Sequence, residues 1–155
     1  MKVSQNQYAE LLLKALGGRQ VARERLTAMG IDEATYIMAD GSGLSRYNYA
    51  TNETLVKILR RFQQRPADAA AFGPTLPIAG RDGTLAGRMV GTPAAGKVRA
   101  KTGSAENLRA ISGYVEDADG ELLVFSIIAN NFALPGAQVM AATDKALIRL
   151  ATFKK

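Results

Sequence analysis

The 155 residues predict an α+β fold in which helices cover an antiparallel sheet of about three strands. Two observations carry that expectation. Apolar residues recur at helical spacing as far as Phe62, whereas the second half turns into short β-rich runs joined by a hairpin signal, followed by one closing helix. The length and a composition that is nearly half hydrophobic suit one domain spanning residues 1–155 with a sizeable core.

Taken in order, Tyr8, Leu11, Leu12, Ala15 and Leu16 mark a first helix, which Gly17-Gly18 stops. Val21, Ala22, Leu26 and Met29 mark a second, closed by Gly30. Thr35 to Ala39 reads as a short extended run that meets the turn-rich Asp40-Gly41-Ser42-Gly43. Leu55, Ile58, Leu59 and Phe62 form a third amphipathic stripe, with Thr51 or Asn52 as its cap. Pro66 to Pro77 reads as irregular, with alanine-rich helical potential in its middle. Strands are expected at Val98 to Thr102, Leu108 to Glu116 and Glu121 to Asn131, the last two joined by Asp117-Ala118-Asp119-Gly120. Pro135 then stands where a helix starts, and Val139, Met140, Thr143, Leu147 and Leu150 give that helix its apolar face.

The chain has no cysteine and no histidine, which removes disulfides, Cys/His zinc sites and any catalysis that needs a histidine base. No cofactor is expected. The densest acidic cluster, Glu116, Asp117, Asp119 and Glu121, surrounds Gly120 and reads as a polar hairpin turn rather than an ion site. The net charge of +6 is spread along the chain with few aromatics interleaved, so a solvated basic surface is expected and nucleic acid is not. The longest nearly apolar stretch, Leu122 to Ala129, is too short to span a bilayer, and the start of the chain reads as polar and helix-like, without an export signal or anchor.

Four stretches invite a chemical reading: Ser4-Gln5-Asn6, Asp40 to Arg46, Leu76 to Leu85, and Lys101-Thr102-Gly103-Ser104. Alone, each has a structural explanation. Ser4 with Gln7 makes a capping box. Asp40-Gly41-Ser42-Gly43 makes a turn, Asp82-Gly83-Thr84 a helix-capping turn, and Lys101 a solvated lysine.

Together and in this order they resemble the penicillin-binding D-alanyl-D-alanine carboxypeptidase/endopeptidases of low-molecular-mass class C, and the likeness runs over essentially all 155 residues. That family has Ser-x-Asn opening a helix that continues x-x-Ala-Glu, matched by Ser4 to Glu10. It also has Asp-Gly-Ser-Gly-Leu-Ser-Arg, matched by Asp40 to Arg46, and Leu-Pro-x-Ala-Gly-x-Asp-Gly-Thr-Leu, matched by Leu76 to Leu85. Lys-Thr-Gly-Ser on a strand is matched by Lys101 to Ser104. The resemblance implies the carboxy-terminal half of a penicillin-recognising (β-lactamase/transpeptidase-like) catalytic domain. It implies a serine-type hydrolase that acts on peptidoglycan stem peptides and binds β-lactams, with a parent protein in the periplasm or outside the cell.

The same resemblance implies the roles. Ser4 would relay a proton toward the leaving amine, and Asn6 would offer its amide to the substrate backbone. Lys101 would keep the cleft positive and tune the proton network, while Thr102 and Ser104 would offer hydroxyls to the substrate carboxylate. Gly103 would let the substrate backbone lie against the strand. Ser45 fails as a rival to Ser4 because Tyr47, not asparagine, stands two places on.

The nucleophile motif of that family, Ser-x-x-Lys, does not occur in these residues. Ser4, Ser42, Ser45, Ser104, Ser112 and Ser126 meet Gln7, Ser45, Asn48, Asn107, Val115 and Ala129 at that spacing. The expectation is therefore an expressed fragment, a split gene product or a degenerate relative, inactive alone, with a fragment or truncated gene product favoured because the second and third motifs are intact. The alternative is a non-catalytic module that binds peptidoglycan or a partner. A further expectation is a free apolar edge along Leu122 to Ala129, allowing self-association through Glu121 to Asn131.

Overall fold

Helices and strands occur in both units of the chain, with the three-stranded sheet in one of them. The computed structural model describes residues 1–155, which divide into Gln5–Arg61 and a second unit of Met1–Ser4 with Phe62–Lys155. In the first unit, helix α1 (Asn6–Ala15) and helix α2 (Gly18–Ala28) are separated by Gly17, whose φ of 100° suits glycine. A Cβ at Gly17 would also lie 2.8 Å from Val21 Cγ2. Gly18 thus opens α2 rather than closing α1.

The capping-box expectation at Ser4 fails. The residue before α1 is Gln5, which makes no side-chain cap, and Ser4 takes a left-handed backbone with φ 51°. Helical spacing in α1 is present, but its apolar stripe is not buried: Leu12 is 63% and Leu16 66% exposed. Periodicity fixes which residues share a helix face, not whether a partner covers it.

The extended run after α2 shortens to strand β1 (Tyr36–Ile37), because a 3₁₀ turn occupies Glu33–Thr35. It pairs antiparallel with β2 (Tyr49–Ala50), a strand too short to leave an alternation signal. Helix α3 (Asn52–Gln63) is capped by Thr51, whose Oγ1 accepts the Thr54 amide at 3.1 Å. Ile31, Tyr36 and Leu59 are buried in this unit, and the Thr54 hydroxyl donates to Thr35 Oγ1 at 2.6 Å.

In the second unit, the irregular stretch after α3 forms helix α4 (Pro66–Phe72), with Pro66 at its first position. Phe72 stacks on Phe62 at a centroid distance of 4.3 Å. Strands β3 (Val98–Ala105), β4 (Leu108–Glu116) and β5 (Leu122–Asn130) form an antiparallel sheet in the order β3-β4-β5, and helix α5 (Gly136–Ala151) packs on β4. Leu85, Val98, Ile111, Val115, Phe125 and Leu147 belong to one buried cluster. At about 25 cal/mol per Å² of apolar surface removed from water, this cluster is the main force holding α5 to the sheet.

β3 runs three residues beyond the expected Thr102, because Ser104 and Ala105 pair with Arg109 and Leu108 across a tight turn with Asn107 at φ 52°. The acidic cluster is a hairpin turn, as expected: Asp117 Oδ1 accepts the amides of Asp119 and Glu121. No helix is long and apolar enough to cross a membrane.

Candidate functional site

The site grows from β3. Val98 and Ala100 point into the core, so strand alternation turns Lys101 and Gly103 to the opposite side and leaves Thr102 and Ser104 on the core side. The outer edge of β3 is paired only at its start. Ala79 donates to the Val98 carbonyl, the Ala100 amide donates to the Pro77 carbonyl, and Ile78 bridges Arg99. Past Ala100 no strand lies along this outer edge of β3. That stretch, Lys101 to Ala105, can accept an extended peptide.

Lys101 Nζ donates to Ser4 Oγ at 2.7 Å and to the Thr102 carbonyl at 2.5 Å. The lysine is half-buried, and burial holds its pKa below the ordinary 10.5. A serine hydroxyl that accepts from an ammonium keeps its own proton to donate. The Ser4 hydroxyl therefore accepts from Lys101 and keeps its own proton available. Its backbone is held in the left-handed region by a turn in which its amide donates to the Met1 carbonyl at 3.2 Å.

Thr102 Oγ1 donates to Thr84 Oγ1 at 2.8 Å. Thr84, Arg88, Thr102, Gly103, Ser104 and Met140 line a cavity of about 130 Å³ beside this strand. A Cβ on Gly103 would meet only Ala110 Cβ, at 3.4 Å, so this glycine is not required by packing within the sheet. Arg88 is fixed by Asp144 of α5, with Nη2 at 2.5 Å from Oδ1 and Nε at 3.1 Å.

Five of the six residues singled out from sequence thus lie in one unit: Ser4, Lys101, Thr102, Gly103 and Ser104. Asn6 is the first residue of α1 and belongs to the other unit.

The Asp40 to Arg46 stretch proves to be a hydrogen-bonded loop. Asp40 accepts the amides of Gly43 and Ser45 and the Asn48 side chain, and Glu10 accepts the amides of Gly41 and Ser42. Ser45 Oγ accepts the Tyr47 amide, which makes it a turn residue. Sequence reasoning assigned no role to Lys2 and no ligand-side role to Asp82 or Thr84. The Asp-Gly-Thr motif itself was the available signal.

The sequence matches the model of the D-Ala-D-Ala carboxypeptidase 3 (S13) family over residues 1–153. It is 39% identical to a D-alanyl-D-alanine carboxypeptidase of Actinomadura sp. (strain R39), over 99% of this chain and 31% of that protein. The fold superposes on penicillin binding protein 4 of Haemophilus influenzae with a TM-score of 0.91 and 28% identity, covering 99% of this chain and 38% of that one. A second structure of that protein, complexed with a β-lactam, matches with a TM-score of 0.89, 29% identity and coverage of 99% and 40%. The chain therefore spans about a third of the length of the curated relatives it matches.

Proposed function

Because the chain belongs to the D-Ala-D-Ala carboxypeptidase 3 (S13) family, we propose that it forms the leaving-group side of a site for acyl-D-Ala-D-Ala peptides of peptidoglycan. The observation that carries this reading is the Ser4–Lys101 hydrogen bond at 2.7 Å beside an unpaired strand edge. In an acyl transfer at such a site, a nucleophilic serine gives its proton to the lysine of its Ser-x-x-Lys pair and attacks the penultimate D-alanine carbonyl; the acyl-serine ester forms and the C–N bond breaks. The departing nitrogen takes the Ser4 hydroxyl proton, and Lys101 returns one to Ser4. Thr102 and Ser104 serve the terminal carboxylate, Gly103 leaves room for the peptide backbone, and Asn6 offers its amide to the substrate. The attacking serine is supplied by a Ser-x-x-Lys pair, which the 155 residues do not contain. These residues alone therefore bind without turning over, as part of a protein that works outside the cytoplasm.

The outer edge of β5 is the surface for pairing with a second copy. Leu122 to Asn130 carries no charge, and only β4 is paired with it. Sedimentation should show dimers that Ile128→Lys dissolves, and a monomer at high concentration would sink this part.

The site reading is tested with the purified chain. A fluorescent penicillin should give no covalent adduct by intact mass. An N-acyl-D-Ala-D-Ala peptide should shift the amide resonances of Lys101 to Ser104, and Lys101→Ala should abolish the effect. A stoichiometric adduct, or a peptide that leaves those resonances unmoved, would overturn the assignment.

A further inference from the structure

The Asp82-Gly83-Thr84 turn touches both segments that carry the Ser4–Lys101 pair. The Asp82 carboxylate is shared. Oδ1 accepts the Ile78 amide at 2.8 Å, and Oδ2 accepts Lys2 Nζ at 2.6 Å. Ile78 lies in the segment that flanks β3 and bridges Arg99, two residues before Lys101. Lys2 lies two residues before Ser4. A single carboxylate thus ties the edge of β3 to the segment bearing the serine.

The other two residues of the turn act on the same Lys2. The Thr84 amide donates to the Lys2 carbonyl at 3.1 Å. Gly83 has a φ of 57°, and a Cβ there would collide with the Lys2 carbonyl oxygen. Its side chain is excluded both by conformation and by that approach. Thr84 Oγ1 meanwhile accepts from Thr102, the residue after Lys101. Lys2 is therefore held by its ammonium and its carbonyl, while β3 is held at Ile78 and at Thr102.

We propose that Asp82, Gly83 and Thr84 are positioning residues that set the distance between Ser4 and Lys101, with Lys2 as the handle by which the serine segment is gripped. The left-handed backbone of Ser4 makes such a grip necessary, because a non-glycine residue leaves that region unless its neighbours hold it. The Lys2–Asp82 ion pair is partly exposed and contributes little stability by itself. Its effect is geometric. The inference rests on the reading of Ser4 and Lys101 as the working pair, and its test does not use substrate.

The test is made on the uniformly ¹³C,¹⁵N-labelled 155-residue chain by nuclear Overhauser spectroscopy. The wild type should show a cross-peak between the Ser4 β-protons and the Lys101 ε-protons. Lys2→Ala, which leaves the Asp82 bond to Ile78 in place, should weaken that cross-peak at least fivefold, and Gly83→Ala should do the same. Lys2→Arg should restore it. Cross-peaks between Ala100 and Gly113, which face each other across β3 and β4, should persist in all three, showing that the sheet is intact.

The Lys101 ammonium should titrate higher in Lys2→Ala than in the wild type, because a released serine segment exposes it. A purely structural role for the turn would lower the melting temperature and leave both the cross-peak and the titration unchanged. That result would overturn the proposal. Peptide-induced shifts at Lys101 to Ser104 in the wild type test the functional reading separately. Their absence alongside a Lys2-dependent Ser4–Lys101 contact would remove the function and keep the positioning.

Discussion

Ser4 and Lys101 stand 97 positions apart in sequence, and their side chains meet at 2.7 Å. The contact joins a residue in a left-handed turn to one in the exposed half of an edge strand, so neither local conformation produces it. A hydrogen bond with one charged member is about twice as strong as a neutral one. Here it also has a chemical consequence, because the lysine is half-buried and the serine keeps a free proton.

Burial lowers the Lys101 pKa from 10.5, which fixes the sign of its pH dependence. Between the lowered value and 10.5 the unfolded chain binds more protons at this residue than the folded one. Its contribution to stability therefore rises as pH rises through that window and is constant below it. Lys101→Met should remove this component. The difference between the two denaturation-versus-pH curves measures it, and identical slopes would contradict the burial effect.

Glu10 should order the Asp40 to Arg46 loop. The Ser42 side chain first, then the Gly41 and Ser42 amides, hold its carboxyl below the ordinary 4.5. The carboxylate's contribution is complete above 4.5 and is lost as pH falls through the lowered value. Amide hydrogen exchange at Gly41 and Ser42 should accelerate at least tenfold in Glu10→Ala. Exchange in β4 should not change.

Gly113 should tolerate no side chain. Its φ is ordinary, but a Cβ would lie 2.6 Å from Ala100 Cα and collide with the Arg99 carbonyl oxygen. Gly113→Ala should cost about 1–3 kcal/mol in urea unfolding, the usual penalty of overpacking. It should also disturb β3 just before Lys101, with which Ser112 pairs directly.

Arg88 and Asp144 tie the loop after Thr84 to α5, with side chains only 17% and 20% exposed. Asp144→Ala leaves a guanidinium without its carboxylate and should destabilise the fold by about 2 kcal/mol. Asp144→Asn, which keeps an acceptor, should cost less. Chemical denaturation of the two variants ranks them, and equal midpoints would show that the acceptor retained in Asp144→Asn contributes nothing.

Much of the sheet unit was legible in the sequence. The hairpin joining β4 and β5 announced itself through Asp117 and Gly120, and β4 falls on the residues that alternation marked. Such signals are local, since a turn and its flanking strands lie within one short window. The short pairing of β1 with β2 left no signal, because two residues cannot display alternation. The capping-box expectation failed for a related reason. Ser4 has the right chemistry for a cap, but its hydroxyl accepts from a lysine distant in sequence, and its backbone is left-handed where a cap residue is extended.

By itself the sequence determined the fold class, the order of the motifs and the residue types that could do chemistry, because each depends on neighbours along the chain. The tertiary structure alone decided that Ser4 meets Lys101, that Lys2 meets Asp82 and that Thr102 meets Thr84. Those contacts span 18 to 97 positions. They exist only because the buried cluster around Leu85, Val98 and Ile111 brings the Asp82 turn and β3 together, and the turn in its place holds Lys2. No periodicity records which distant segments a shared core will bring side by side.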